Sequence, residues 1–178
     1  MPAPTVDRIK ARDAFSLASD LMMDLMGGMQ VHRTFQKWFA LNPPSEQLIV
    51  QVNRVCLFHL ILTLAKWREF YDRYLDVIPL DVREQAKALS KAVVDRGIPD
   101  FRNKVVGHIW DADAKRPLIP GEVERRLDTL MAPGLHQFML WVNNPDNNAY
   151  PSTAISVVER VRDRLRDVHG FTDADLLA

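Results

Sequence analysis

The segment Asp100–Asp111 carries the residues of this chain best suited to chemistry on a phosphate without a metal. It contains Arg102, Asn103 and His108. A histidine can accept or deliver a proton near neutral pH, and an arginine can hold a phosphate with a planar fork of donors. Asn103 could orient either group. Cleaving RNA without a metal needs both functions, because the ribose 2′-hydroxyl can itself be the nucleophile.

The spacing of arginine and histidine does not by itself single out this segment. Arg102 differs from the other arginines because asparagine follows it and because it sits at a predicted helix start, with Asp100 as the predicted N-cap. The alternative is that Arg102 pairs with an acid while His108 caps or packs. Three other pairs have comparable spacing: Arg54–His59, Arg162–His169 and Arg164–His169.

The motif of Arg102, Asn103 and His108 resembles the signature of the HEPN superfamily. In that signature an arginine and a polar residue, often asparagine, are followed by a histidine after four to six intervening positions; here five intervene. The neighbouring Lys104 and Gly107 are compatible with the branch associated with bacterial abortive infection. The resemblance implies an all-α helical bundle with two long helices and several shorter ones. It also implies a metal-independent endoribonuclease of a phage-defence or toxin system.

The resemblance covers residues 6–166 and implies a homodimer. On a regular helix Arg102 and His108 lie about 120° apart, so one helix does not bring both to one phosphate. HEPN ribonucleases are understood to join two copies of the motif in a shared cleft. The implied catalytic residues are Arg102 as phosphate clamp, Asn103 as orienting residue and His108 as general acid and base, with Lys104 and Trp110 as substrate contacts.

Net charge limits the kind of partner that the chain can bind. It has 23 basic and 23 acidic residues, so contact with nucleic acid must be local or assembled by pairing chains. We expect a homodimer, with RNA and an antitoxin or other partner protein as further candidates. The second functional hypothesis is a catalytically inactive HEPN-fold module that binds RNA, nucleotide or a protein partner.

Metal and cofactor chemistry find no support in the sequence. None of the five histidines pairs with another at helical i,i+4 spacing beside an acid, and the single cysteine, Cys56, excludes a thiolate zinc site. No glycine-rich phosphate loop is present. We therefore predict neither metal nor cofactor.

Length and pattern predict one helical domain over residues 1–178, with a core at about 6–166 and a frayed tail at 167–178. The first residues lack the apolar centre of a signal peptide, and the apolar run Val55–Ala65 is too short to span a membrane. The lone cysteine suits a reducing compartment, so we expect a cytoplasmic protein without a membrane segment.

Helix signals divide the chain into segments at glycine and proline residues. Gly27-Gly28 is predicted to break the first long helix, and Ser45 to cap the second. The predicted helices are Thr5–Met26, Met29–Leu41, Ser45 to about Asp76, Asp81–Asp95, Asp100 to about Trp110, Gly121–Met131, Leu135–Val142, and a last one from Ser152 or Thr153 to about Val168.

Four methionines surround the predicted break. We interpret them mainly as core filler at a helix junction; a sticky groove for a partner is the alternative, and it would make the chain a helical adaptor. They are Met22, Met23, Met26 and Met29.

Overall fold

The structure is a computed structural model that describes residues 6–106, 110–111, 115–117 and 119–176. The all-α prediction is confirmed, since helices hold most of these residues and strands only four of them. The helices are α1 Val6–Leu41, α2 Glu46–Tyr74, α3 Leu80–Asp95, α4 Ile98–Phe101, α5 Pro120–Met131, α6 Leu135–Val142 and α7 Ala154–His169. A π-helical turn covers Arg102–Val106, a 3₁₀ turn covers Asp173–Leu176, and two short strands are β1 Trp110–Asp111 and β2 Arg116–Pro117.

Helix α1 continues straight through Gly27-Gly28, so the predicted break is wrong. The glycines instead mark the place where α1 crosses α2. A Cβ atom on Gly28 would lie 2.8 Å from Cδ2 of His59 and 2.9 Å from Cδ2 of Leu60. Beside it, Nε2 of His59 lies 2.9 Å from the carbonyl oxygen of Asp24. Close packing of the two helices therefore explains Gly28 better than helix termination does.

Helix α2 begins as predicted, because the hydroxyl of Ser45 accepts a hydrogen bond from the backbone N–H of Leu48. Along α2, Cys56 and Phe70 are buried, whereas Val55 is 68% exposed. Within the described residues, α2 alone is long and apolar enough to cross a bilayer by length and composition, and 39% of that apolar window is buried. Its buried side chains join the core of the bundle.

The methionines at the crossing divide into two pairs. Met22 and Met29 are buried in the core, which agrees with the interpretation as filler. Met23 and Met26 are exposed, so the four side chains do not form one stripe.

Helices α1 and α2 form an antiparallel pair, and α5 and α6 pack on each other and reach the rest of the bundle through α4 and α7. Helix α7 packs on α1, and α3 packs on both α2 and α7. The hydroxyl of Thr153 caps α7 by accepting from the N–H of Ser156, 3.1 Å away, as one of the two predicted caps. The tail is partly fixed, since the ring of Phe171 stacks on that of Phe15 with centroids 5.6 Å apart.

The segment before the motif departs from the prediction in two ways. Helix α4 is capped at Gly97, which has the left-handed φ of 70° that glycine favours, and Asp100 lies inside the helix instead of capping it. Trp110 is not helical, because β1 pairs with β2 and sets Trp110 opposite Pro117. The predicted long helix is therefore one short helix and a π-helical turn.

Candidate functional site

Two buried side chains of α4 hold the start of the motif against α2. Ile98 and Phe101 are 0% and 4% exposed, and the ring of Phe101 meets that of Phe58 edge to face with centroids 5.8 Å apart. The π-helical turn begins at the next residue. Such turns are rare and are frequently found at functional sites.

Arg102 is held by two contacts and remains partly open to solvent. Its Nη1 donates to Oδ1 of Asn103 over 2.8 Å, and its Nη2 pairs with Oε1 of Glu69 on α2. One third of the Arg102 side chain is exposed, and Asn103 and Lys104 are exposed as well. The guanidinium is thus oriented by neighbours and still accessible to a phosphate, which could compete with Glu69 for its donors.

His108 lies outside the residues that the structure describes, and so does the side chain of Trp110. Of the predicted catalytic set, the structure describes Arg102 and Asn103, whose side chains are hydrogen-bonded to each other. Lys104 lies in the same π-helical turn.

The three rival arginines make structural contacts, within one helix for Arg54 and between helices for Arg162 and Arg164. The guanidinium carbon of Arg54 lies 5.1 Å from the centroid of the Phe58 ring. Arg162 donates to Asp163 and to the sulfur of Met22, and Arg164 donates to Asp81 over 2.7 Å. The sequence interpretation favoured Arg102 over these arginines, and its partner Glu69 lines a surface groove.

That groove runs between α1 and α2 and has a volume of about 320 Å³. We call it the α1–α2 groove. Its apolar side chains come from both helices, and its rim carries charges of both signs. It is lined by Leu17, Asp20, Leu21, Asp24, Lys66, Glu69, Phe70, Arg73 and Tyr74.

Sequence reasoning missed Glu69 and the α1–α2 groove. Glu69 lies 33 positions before Arg102, so no local spacing links the two residues. A charged residue beside buried aromatics on a long helix is the only signal, and it is common on helix surfaces. Among the described residues, no three His, Cys, Asp or Glu side chains are grouped so that they could hold a metal ion.

Comparison with known proteins adds information about the fold. No protein-family model and no curated protein matches the sequence. The chain is similar to a solved structure of the integron cassette protein Vpc_cass2, from the mobile metagenome of V. paracholerae. The TM-score is 0.72 at 19% sequence identity, over 93% of this chain and 99% of that one. At this identity the likeness shows a shared helical fold.

Proposed function

We propose that this chain is a HEPN-like endoribonuclease that works without a metal, as a homodimer, in a cytoplasmic defence or toxin system. The proposal rests on one observation, the environment of the Arg102 side chain. It is oriented by Asn103, partly exposed, and placed in a π-helical turn at the edge of a groove. A donor fork fixed in this way can hold a phosphate and stabilise charge that builds on it.

The proposed reaction is attack of the ribose 2′-hydroxyl on the adjacent phosphorus. The new P–O2′ bond forms while the P–O5′ bond breaks, which leaves a 2′,3′-cyclic phosphate and a 5′-hydroxyl. His108 takes the proton of the attacking hydroxyl, and a second acid, the partner's copy of the same histidine, protonates the departing oxygen. Arg102 clamps the phosphate, and Lys104 and Trp110 contact the substrate.

The test is cleavage of a labelled RNA by the purified chain in the presence of a metal chelator. We expect Arg102→Ala and His108→Ala each to lower the rate by at least about 100-fold, the scale of an acid–base or oxyanion contribution. His136→Ala is the control, because this histidine is exposed at the start of α6 and is not part of the motif. Full activity of His108→Ala would overturn the proposal, and a monomeric mass in solution would overturn the shared cleft.

A second candidate is a binding module without catalysis, and the ion pair of Arg102 with Glu69 favours it. In this alternative the chain binds RNA, a nucleotide or a protein partner, and the pair is a structural contact. The same assay separates the two functions. Wild-type chain that binds the labelled RNA and leaves it intact would support the binding module.

A further inference from the structure

The α1–α2 groove combines an apolar floor with charged edges, which suits a ligand that has both a flat ring and polar groups. Leu21, Phe70 and Tyr74 form the buried part, and the rings of Phe70 and Tyr74 lie 5.3 Å apart between centroids. Binding pockets for small ligands start at about 300 Å³, so the groove is large enough for one nucleotide base.

Some charged side chains of the groove rim form ion pairs within the fold, and others do not. Lys66 pairs with Asp24 over 3.4 Å, and Glu69 pairs with Arg102. In the part of the chain that the structure describes, the remaining two, Asp20 and Arg73, are exposed and form no ion pair. The groove therefore offers one carboxylate that accepts hydrogen bonds and one guanidinium that donates them.

One residue that lines the groove also contacts the motif. Glu69 lines the groove and also binds the guanidinium of Arg102. An RNA phosphate bound at Arg102 would therefore place a neighbouring nucleotide at the groove. Asp20 would meet the base of that nucleotide, and Arg73 could meet its phosphate.

We propose that the α1–α2 groove is a base-binding subsite selective for guanine. The inference rests on the proposed function and deepens it by naming the preferred nucleotide. A carboxylate accepts hydrogen bonds and donates none, so it matches a base edge with two adjacent donors. Guanine presents N1–H and N2–H side by side, whereas the Watson–Crick edges of adenine, cytosine and uracil each carry a single donor group. Asp20 selects the base, and Phe70 and Tyr74 contact its ring.

The direct test measures mononucleotide binding to the full chain carrying His108→Ala, by calorimetry with a chelator present. We expect GMP to bind about tenfold more tightly than AMP, which is the scale of one bidentate contact to a base. Asp20→Asn should remove that preference. Asp13→Asn is the matched control, because Asp13 is exposed on the same helix and does not line the groove. Equal affinity for GMP and AMP, or a preference that survives Asp20→Asn, would overturn the inference.

A cleavage experiment distinguishes failure of this inference from failure of the proposed nuclease. Sites cut by the wild-type chain in a mixed-sequence RNA should lie next to guanine, and Asp20→Asn should make them indifferent to the base. Cleavage without base preference would contradict the guanine subsite and would still agree with the proposed nuclease function. If the chain does not cleave RNA but binds GMP selectively through Asp20, the result would support the guanine subsite and contradict the proposed nuclease function.

Discussion

Glu69 on α2 binds the guanidinium of Arg102, which lies in the π-helical turn 33 positions later. The pair ties the motif to one of the two long helices and to the rim of the α1–α2 groove. It also places a negative charge where the proposed reaction needs a phosphate. Glu69 is therefore a competitor of RNA for Arg102.

Neutralising this acid should strengthen RNA binding. In the His108→Ala background, we expect Glu69→Gln to raise affinity for a short RNA by about fivefold, since removing one exposed ion-pair partner is worth about 1 kcal/mol. Fluorescence anisotropy at fixed salt measures the effect. The control is Asp72→Asn, which removes a carboxylate paired with Arg68 on the same helix, 2.8 Å away. Weaker binding after Glu69→Gln would show that the acid supports the site.

The two adjacent glycines of α1 should respond in opposite directions to alanine. Gly28→Ala places a Cβ within 3 Å of side chains of α2, so we expect a loss of about 1–3 kcal/mol in the free energy of unfolding. A Cβ on Gly27 meets nothing within 4 Å, and alanine is the better helix former, so Gly27→Ala should add about 0.5–1 kcal/mol. Urea unfolding of the two variants measures both effects. Equal effects would contradict the tight crossing.

Sequence patterns a few residues long predicted the helix caps, because a cap depends only on neighbouring residues. Ser45 and Thr153 cap helices because each side chain bonds a backbone N–H three residues later. The break at Gly27-Gly28 was wrong because packing against α2 outweighs the low helix propensity of glycine. The contact of Arg102 with Glu69 could not be predicted, because it depends on how α4 packs against Phe58, in a helix that is far away in the sequence.

The ion pair of Asp81 with Arg164 predicts a pH-dependent contribution to stability. The hydrogen bond from Arg164, followed by its charge, holds the pKa of the Asp81 carboxyl below its ordinary value of 3.8. A lowered pKa in the folded state means that the stabilisation is complete above pH 3.8 and is lost as pH falls through the lower folded value. Both side chains are partly exposed, so the contribution is at most about 1 kcal/mol.

A double-mutant cycle measures this contribution. We expect Asp81→Asn and Arg164→Gln to show a coupling energy of about 0.5 kcal/mol at pH 7, and a progressive loss of that coupling as the pH falls below 3.8, because protonation removes the charge of the carboxyl. The cycle also cancels the separate effect of Asp81 in the first turn of α3. Coupling that persists at the acidic pH would rule out an ionic origin.

Arg96, just after α3, should be the arginine whose replacement by lysine is most costly. Its Nη1 donates to the carbonyl oxygens of Leu130 and Ala132, each 3.1 Å away, and its guanidinium carbon lies 4.5 Å from the centroid of the Trp141 ring. Burial lowers the pKa of this guanidinium. A lysine keeps the charge but loses the planar fork that makes these contacts together.

We expect Arg96→Lys to lower the free energy of unfolding by about 2 kcal/mol, from the lost hydrogen bonds and cation–π contact. Urea unfolding measures the loss. The comparison is Arg125→Lys, whose exposed guanidinium makes one hydrogen bond, to the carbonyl oxygen of Gly121 in its own helix, and which should cost less than about 0.5 kcal/mol. Similar losses in the two variants would mean that Arg96 does not fasten α5 and α6 to the end of α3. A larger loss at Arg96 would show that this one side chain joins three helices through atoms that lysine cannot supply.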